Sequence, residues 1–369
     1  MEFKCVRYCF FAFFGCLVCN LLSAQEPPVD SVPGDIFAAE GVLKLTLTAN
    51  FDSLLSDAAS SRIVARTGFL RFRSPAGKLV SQSVKIETRG NFRMKPQNCS
   101  FPPIRVTFRE SDSLRQLFRQ NKTLKLVSQC QVLNPDFEQY LLEEYLLYKI
   151  YARLTAYCFR VRLLKFTYIN EGNRADTVTR YSFAVETAQE LAHRFKYRRI
   201  VSNNVLLSSV DPWQYKLMCF FEYMISNNDW SVVINHNTEL IQKDSLASFI
   251  PVPYDFDWAG IIHVPYKVPG SYGMETIRPE RSFKGDYRRR REVKGMISYF
   301  NNRQGEIYAI VSGCQQLDDA HKLSMLSGIG EFYHILNNYF LFRNGILKKK
   351  VIEEAPDASN NSFQQLNTP

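Results

Sequence analysis

Apolar and polar positions alternate in short runs from Leu43 onward. VLKLTLTANF sets Leu43, Leu45 and Leu47 on one face, the two-residue repeat of a half-buried strand. GFLRFRSPAGKLV carries the same alternation on both sides of Pro75, Ala76 and Gly77, which predicts a hairpin. SVKIETRGNFR, PPIRVTF and KTLKLVSQC continue in short alternating or β-branched stretches, so the first third is expected to be mostly antiparallel sheet. The period then changes. From Asn134, a capping residue and a Pro near the first turn open NPDFEQYLLEEYLLYKIYARLTAYCFRV, with Tyr140, Leu141, Glu144, Tyr145 and Tyr148 at helical spacing. One long amphipathic helix is predicted there, its aromatic residues packing a core. VRLLKFTYIN and TRYSFAVET form two more strands about the polar turn EGNRAD, and AQELAHRF turns helical. DPWQYKLMCFFEYMISNNDW is a helix capped by Asp211 with Pro212 at its first position, and LSMLSGIGEFYHILNNYFLF is a final core helix. Strands, one helix, a hairpin and a mainly helical remainder predict a two-lobed α+β plan: a β-rich N-terminal lobe over 42–190 and a mainly helical C-terminal lobe over 191–351.

The ends read differently. Lys4 and Arg7, an apolar run to Leu22, and Ser23 and Ala24 before Gln25 have the layout of a signal peptide over 1–25, cleaved near Ala24 and Gln25. An uncleaved anchor is the alternative, and Phe13, three before Cys16, departs from a lipobox. A secreted or periplasmic protein is therefore expected. Residues 26–41 read as a Pro-rich linker and 352–369 as a disordered tail. Removal of the leader leaves Cys99, Cys130, Cys158, Cys219 and Cys314. Cys99 and Cys130 each end a loop or strand-edge segment, whereas Cys158 and Cys219 lie in apolar helical stretches, so a Cys99–Cys130 disulfide is predicted. No CxxC pair remains to bind zinc.

The 369 residues carry a formal charge of +10, which suits an anionic partner such as a nucleotide or an anionic envelope surface. Arg288 to Arg291 has no interleaved aromatic ladder and reads as a solvated helix face, so no nucleic-acid partner is expected.

Candidate chemistry lies in NNDWSVVINHN and PVPYDFDWAG. Carboxylates beside Trp and Phe are costly to desolvate, and a metal ion or a cationic group is needed to compensate them. An Asp at a helix end, an Asn a few residues on, a strand and a second Asp form the order used in phosphoryl transfer: base, amide ligand, and carboxylate bridging Mg²⁺ to a triphosphate. Here Asp229 is the candidate base, Asn237 the amide ligand with Asn235 competing, and Asp255 and Asp257 the metal carboxylates. Asn237 lies eight residues after Asp229 rather than five, and neither HRD nor GxGxxG is present. The plain alternative for Asp255 and Asp257 is a strand-end turn capping backbone N–H groups. His236, without a second His or Cys nearby, reads as a structural histidine.

TRGNFRMKP, LKLVSQC with FEQYLLEEYLLYKIY, YSFAVET, NNDWSVVINHN and PVPYDFDWAG together resemble the spore coat protein H (CotH) type of secreted atypical kinase and related Bacteroidetes envelope proteins. The second half is more distantly similar to HipA-type and phosphoinositide-type kinases. The resemblance spans roughly Leu43 to Gly260. It implies a bilobal kinase-like fold binding ATP and Mg²⁺ between the lobes, with Asp229 as catalytic Asp and Asp255 or Asp257 as metal-binding Asp. Lys125 would contact phosphate and pair with Glu143 or Glu144. Lys95 and Arg89 compete for that task, and the alternative for Arg89-Gly90-Asn91 is a tight turn that brings backbone to phosphate. The acceptor could be protein, lipid or glycan. A non-catalytic envelope scaffold is the alternative from another class, and a D-x-D glycosyltransferase a third; the latter needs an early parallel βαβ unit, against the antiparallel pattern.

Overall fold

Seven alternating segments become strands: β1 (Leu43–Ala49), β2 (Arg66–Arg73), β3 (Leu79–Thr88), β4 (Ile104–Phe108), β5 (Thr123–Ser128), β6 (Val161–Asn170) and β7 (Thr177–Val185). The computed structural model describes residues 35–74, 77–90, 92–108, 122–173, 177–202, 204–264 and 281–347. The expected leader, the tail, Asn91 and the Pro75-Ala76 turn lie outside the described residues. So do most of the linker and residues 265–280.

The strands close into one barrel in the order β1-β2-β3-β4-β5-β7-β6. Every neighbouring pair is antiparallel except the closing one, where β1 runs parallel to β6 with Leu43 opposite Leu164 and Ala49 opposite Asn170. Inward residues such as Leu47, Leu70, Ile86, Val106, Leu124 and Phe166 fill the interior. Helix α1 (Phe51–Ala59), capped by Asn50, adds Phe51 and Leu54 to that interior. Cys99 and Cys130 form the predicted disulfide, with Cα atoms 4.6 Å apart, joining the β3–β4 connection to the end of β5.

The long helix forms as α2 (Asp136–Leu154) and is buried on several sides, because it lies between β7 and the later helices. After α3 (Ala188–Arg194) come β8 (Arg198–Ile200), α4 (Pro212–Met224), β9 (Thr238–Gln242) and β10 (Ile250–Pro253). β8, β9 and β10 form a small antiparallel sheet in the order β10-β9-β8. The chain then runs through α5 (Lys294–Asn301), α6 (Gln304–Ser312), α7 (Asp319–Asn337) and α8 (Tyr339–Gly345). Among the described residues no helix is long and apolar enough to cross a membrane.

The expected α+β bilobal kinase-like fold with a β-rich N-terminal lobe is corrected by this architecture. The strands are not an open lobe but a closed mixed barrel, and β6 and β7, which follow the long helix, complete it. Leu142, Leu147 and Tyr151 of α2 share one core with Phe221 of α4, Ile307 of α6 and Phe332 of α7. Alternation predicts each strand and its inward face; it does not say which distant edge will satisfy β1.

Candidate functional site

The β9–β10 hairpin assembles the site. Pro253 lies opposite Thr238, and one step further Tyr254 N donates to Asn237 O at 3.0 Å. Beyond the hairpin, Asp255 adopts a left-handed backbone at φ 63, its amide donating to Tyr148 Oη of α2 at 2.8 Å. Phe256 is fully buried against Tyr148 and Phe221, with ring centres 4.7 and 5.3 Å away. Anchoring this ring separates the two carboxylates. Asp255 is exposed, whereas Asp257 is buried.

Asp257 faces the barrel. Arg93 Nη1 lies 3.8 Å from Asp257 Oδ2 and 3.9 Å from Glu144 Oε2. Glu144 sits one turn before Tyr148 on α2 and is 1% exposed. Burial, then the neighbouring Asp257, raises its carboxyl well above the usual range, with Arg93 opposing. Arg89 follows β3 and donates from Nη2 to Leu126 O at 3.0 Å. Burial pulls its pKa down, and Asp255 is the leading group that holds its charge. Gly90, at φ 89, makes the turn after it, a conformation that costs a Cβ-bearing residue about 1 kcal/mol or more. Lys125 projects from β5, where Leu124 and Leu126 take the inward positions. Its ammonium lies 5.5 Å from the centre of the Tyr254 ring. Burial and then Arg89 push it down to about 8, against the pull of Asp255 and Glu239.

A second cluster forms where α4 ends. Asn227 Oδ1 accepts from Asp229 N at 3.0 Å, and Trp230 Nε1 donates to Asn227 O at 3.2 Å. Asn237 Nδ2 donates to both Asp229 O and Asp229 Oδ2, at 2.7 and 3.0 Å. His236 Nε2 lies 2.7 Å from Asp229 Oδ1. Both carboxylate oxygens of Asp229 are thus held in place. Lys284 Nζ donates to Asn228 O and Trp230 O at 2.8 and 2.6 Å, tying the loop to the following segment. Beneath it Glu222 is buried and pushed up to about 8, by burial first. Ser226, Asn235, Asn237 and Asp255 all have positive φ, so four left-handed non-glycine residues lie in this region. Strain of this kind concentrates at functional sites.

The sequence-predicted residues therefore fall into two neighbouring groups, Arg89, Lys125, Glu144, Asp255 and Asp257 in one and Asp229 with Asn237 in the other. The Asn237–Tyr254 hydrogen bond connects them. Glu143 turns the other way, to His321 Nδ1 of α7 at 2.9 Å, and Lys95 is exposed. Asn235, the competing amide, has its Oδ1 buried.

Among the described residues no group of three or more His, Cys, Asp and Glu is arranged to hold a metal ion. Those residues thus offer no self-contained metal cage. Mg²⁺ carried by phosphate oxygens needs only one or two carboxylates and keeps several waters. Asp255, exposed, and the amide oxygen of Asn237, whose nitrogen is turned to Asp229, suit that lighter donor set.

Sequence reasoning gave Tyr148 only a place in the helix core and Arg93 only a place at the end of the RGNFR stretch, assigned no role to Lys284, and read His236 as structural. Tyr148 carried one weak signal: a buried phenol needs a partner for its hydroxyl. The others depend on contacts between segments far apart in the chain. A scan against protein-family models and a search of curated proteins found no match to the chain.

Proposed function

We propose that this site binds a magnesium nucleoside triphosphate, ATP in the first instance, and transfers its terminal phosphoryl group to a hydroxyl acceptor. The observation carrying the reading is the gathering of Arg89, Arg93 and Lys125 around Asp255 and Asp257, beside a loop whose Asp229 is clamped by His236 and Asn237. Arg89 and Lys125 would meet the phosphates. Asp255 and the Asn237 amide oxygen would hold the Mg²⁺, and that ion would neutralise charge on the transferring group. Arg93 keeps Glu144 and Asp257 together behind them as a fixed wall. Asp229 would accept the acceptor's hydroxyl proton as the new oxygen–phosphorus bond forms and the nucleoside diphosphate departs.

Calorimetric titration of the purified protein tests this. Mg²⁺-dependent ATP binding is expected, with Asp255→Ala abolishing the Mg²⁺ dependence and Lys125→Met weakening binding by about tenfold, the size of one lost charge-assisted contact. No binding at millimolar ATP overturns the reading. Binding that survives Asp229→Ala, with no product formed by either protein, would leave a nucleotide-binding module and remove the transfer step.

A further inference from the structure

Two apolar triplets face solvent beside the Asp229 loop. In Val205-Leu206-Leu207 the first residue is buried and the next two are exposed, and Val232-Val233-Ile234 repeats the arrangement. Val205 and Val232 belong to a small core with Val210, Met218, Trp230 and Leu240. One inward residue per segment serves that core, so folding gives no reason for Leu206, Leu207, Val233 and Ile234 to be apolar. Leu206 is 69% exposed and Ile234 59%. Val205 N donates to Val233 O at 2.9 Å, which brings the two triplets together. Val233 and Ile234 form the tip of a turn whose base is the Ser231–His236 bridge, and that His236 holds Asp229.

Basic and aromatic residues lie on segments joined to this loop: Lys284, which bonds Asn228 O and Trp230 O, belongs to the stretch that carries the arginines, and Trp213 follows Leu207 by six positions. Trp213, in the first turn of α4, is 41% exposed and stands beside Gly295. That stretch exposes Arg288, Arg289, Arg291 and Lys294, with Asp286 and Glu292 among them, and Lys216 Nζ ties it to α4 by donating to Glu292 O at 2.8 Å. Aliphatic tips, an exposed indole and a stretch with more exposed Arg and Lys than acidic residues form the surface chemistry that seats at the headgroup boundary of an anionic bilayer. A purely apolar protein partner would leave the arginines unmatched. The overall charge of +10 attracts the whole molecule to such a surface.

We infer that this face docks the protein on an anionic lipid surface and presents the Asp229 loop to headgroup hydroxyls. Docking stands on the surface alone; the assignment of a lipid headgroup as acceptor rests on the phosphoryl-transfer reading. Co-sedimentation of the purified full chain with phosphatidylcholine vesicles, with and without phosphatidylglycerol, is the test. Binding to the anionic vesicles only is expected, weakened by high salt. The paired variants Leu206→Ser with Leu207→Ser, and Val233→Ser with Ile234→Ser, should each weaken it by about tenfold or more. These side chains point outward, so circular dichroism and ATP binding should match the parent chain, which separates failure of docking from failure of the nucleotide reading. Absence of sedimentation with anionic vesicles, or equal sedimentation of the variants, overturns the inference. A parent chain that dimerises while Val233→Ser/Ile234→Ser stays monomeric overturns it in favour of a second copy on this face.

Discussion

The charge of Lys125 depends on its surroundings. A lysine pushed down to about 8 is only partly charged in mildly alkaline solution, yet a polyphosphate binds its cationic form. ATP affinity should therefore hold below pH 8 and fall as pH rises through that value, while Lys125→Met should flatten the profile. Titrations from pH 6.5 to 9 at about constant ionic strength check this, since salt screens such contacts. The Asp255/Asp257 pair was legible at this scale because carboxylates flanking a Phe need an outside reason. Their opposite exposure was not legible. It follows from Phe256, which packs on Tyr148 and Phe221 and turns one carboxylate inward and the other to solvent.

Among the elements, α2 connects most of the molecule. Over little more than one turn it sends Glu143 to His321 on α7, Glu144 toward Arg93 and Tyr148 to the amide of Asp255. Helical periodicity located this helix, but an apolar stripe names no partner. The choice between Glu143 and Glu144 needed the packing of α7 on one side and the barrel on the other. Burial works against a charge on His321, and the hydrogen bond and charge of Glu143 outweigh it, leaving the imidazole pKa raised. A raised folded value gives stability that is complete below the unfolded value of about 6.5 and is lost as pH rises through the folded one. His321→Gln should thus cost about 1–2 kcal/mol at pH 6, and much less at pH 9. Urea unfolding at the two pH values measures the difference.

For the whole molecule, the barrel is the part that local pattern could not supply. Each strand was visible as an alternating run, and the β6–β7 hairpin as two such runs about a polar turn. The closing pair is parallel and joins segments with the long helix between them, and nothing in either segment marks the other. The Cys99–Cys130 link was readable because both cysteines sit outside the apolar helices. It closes a 31-residue separation, so removing it should cost about 3–4 kcal/mol by the chain-entropy estimate. The Cys99→Ala/Cys130→Ala double variant should show that deficit in denaturant, and the parent chain should approach it when unfolded in reductant.

The parallel seam between β1 and β6 also sets an order of events during synthesis. Phe51 and Asn170, which meet where β1 ends, are 119 positions apart. Once synthesised, β1 must therefore wait, one edge uncovered, until translation has passed the long helix and delivered β6. During that interval a nascent chain offers an unpaired strand edge, the kind that pairs wrongly with a neighbour. Productive folding of this protein thus depends on keeping that early edge from other chains until its own late strand arrives.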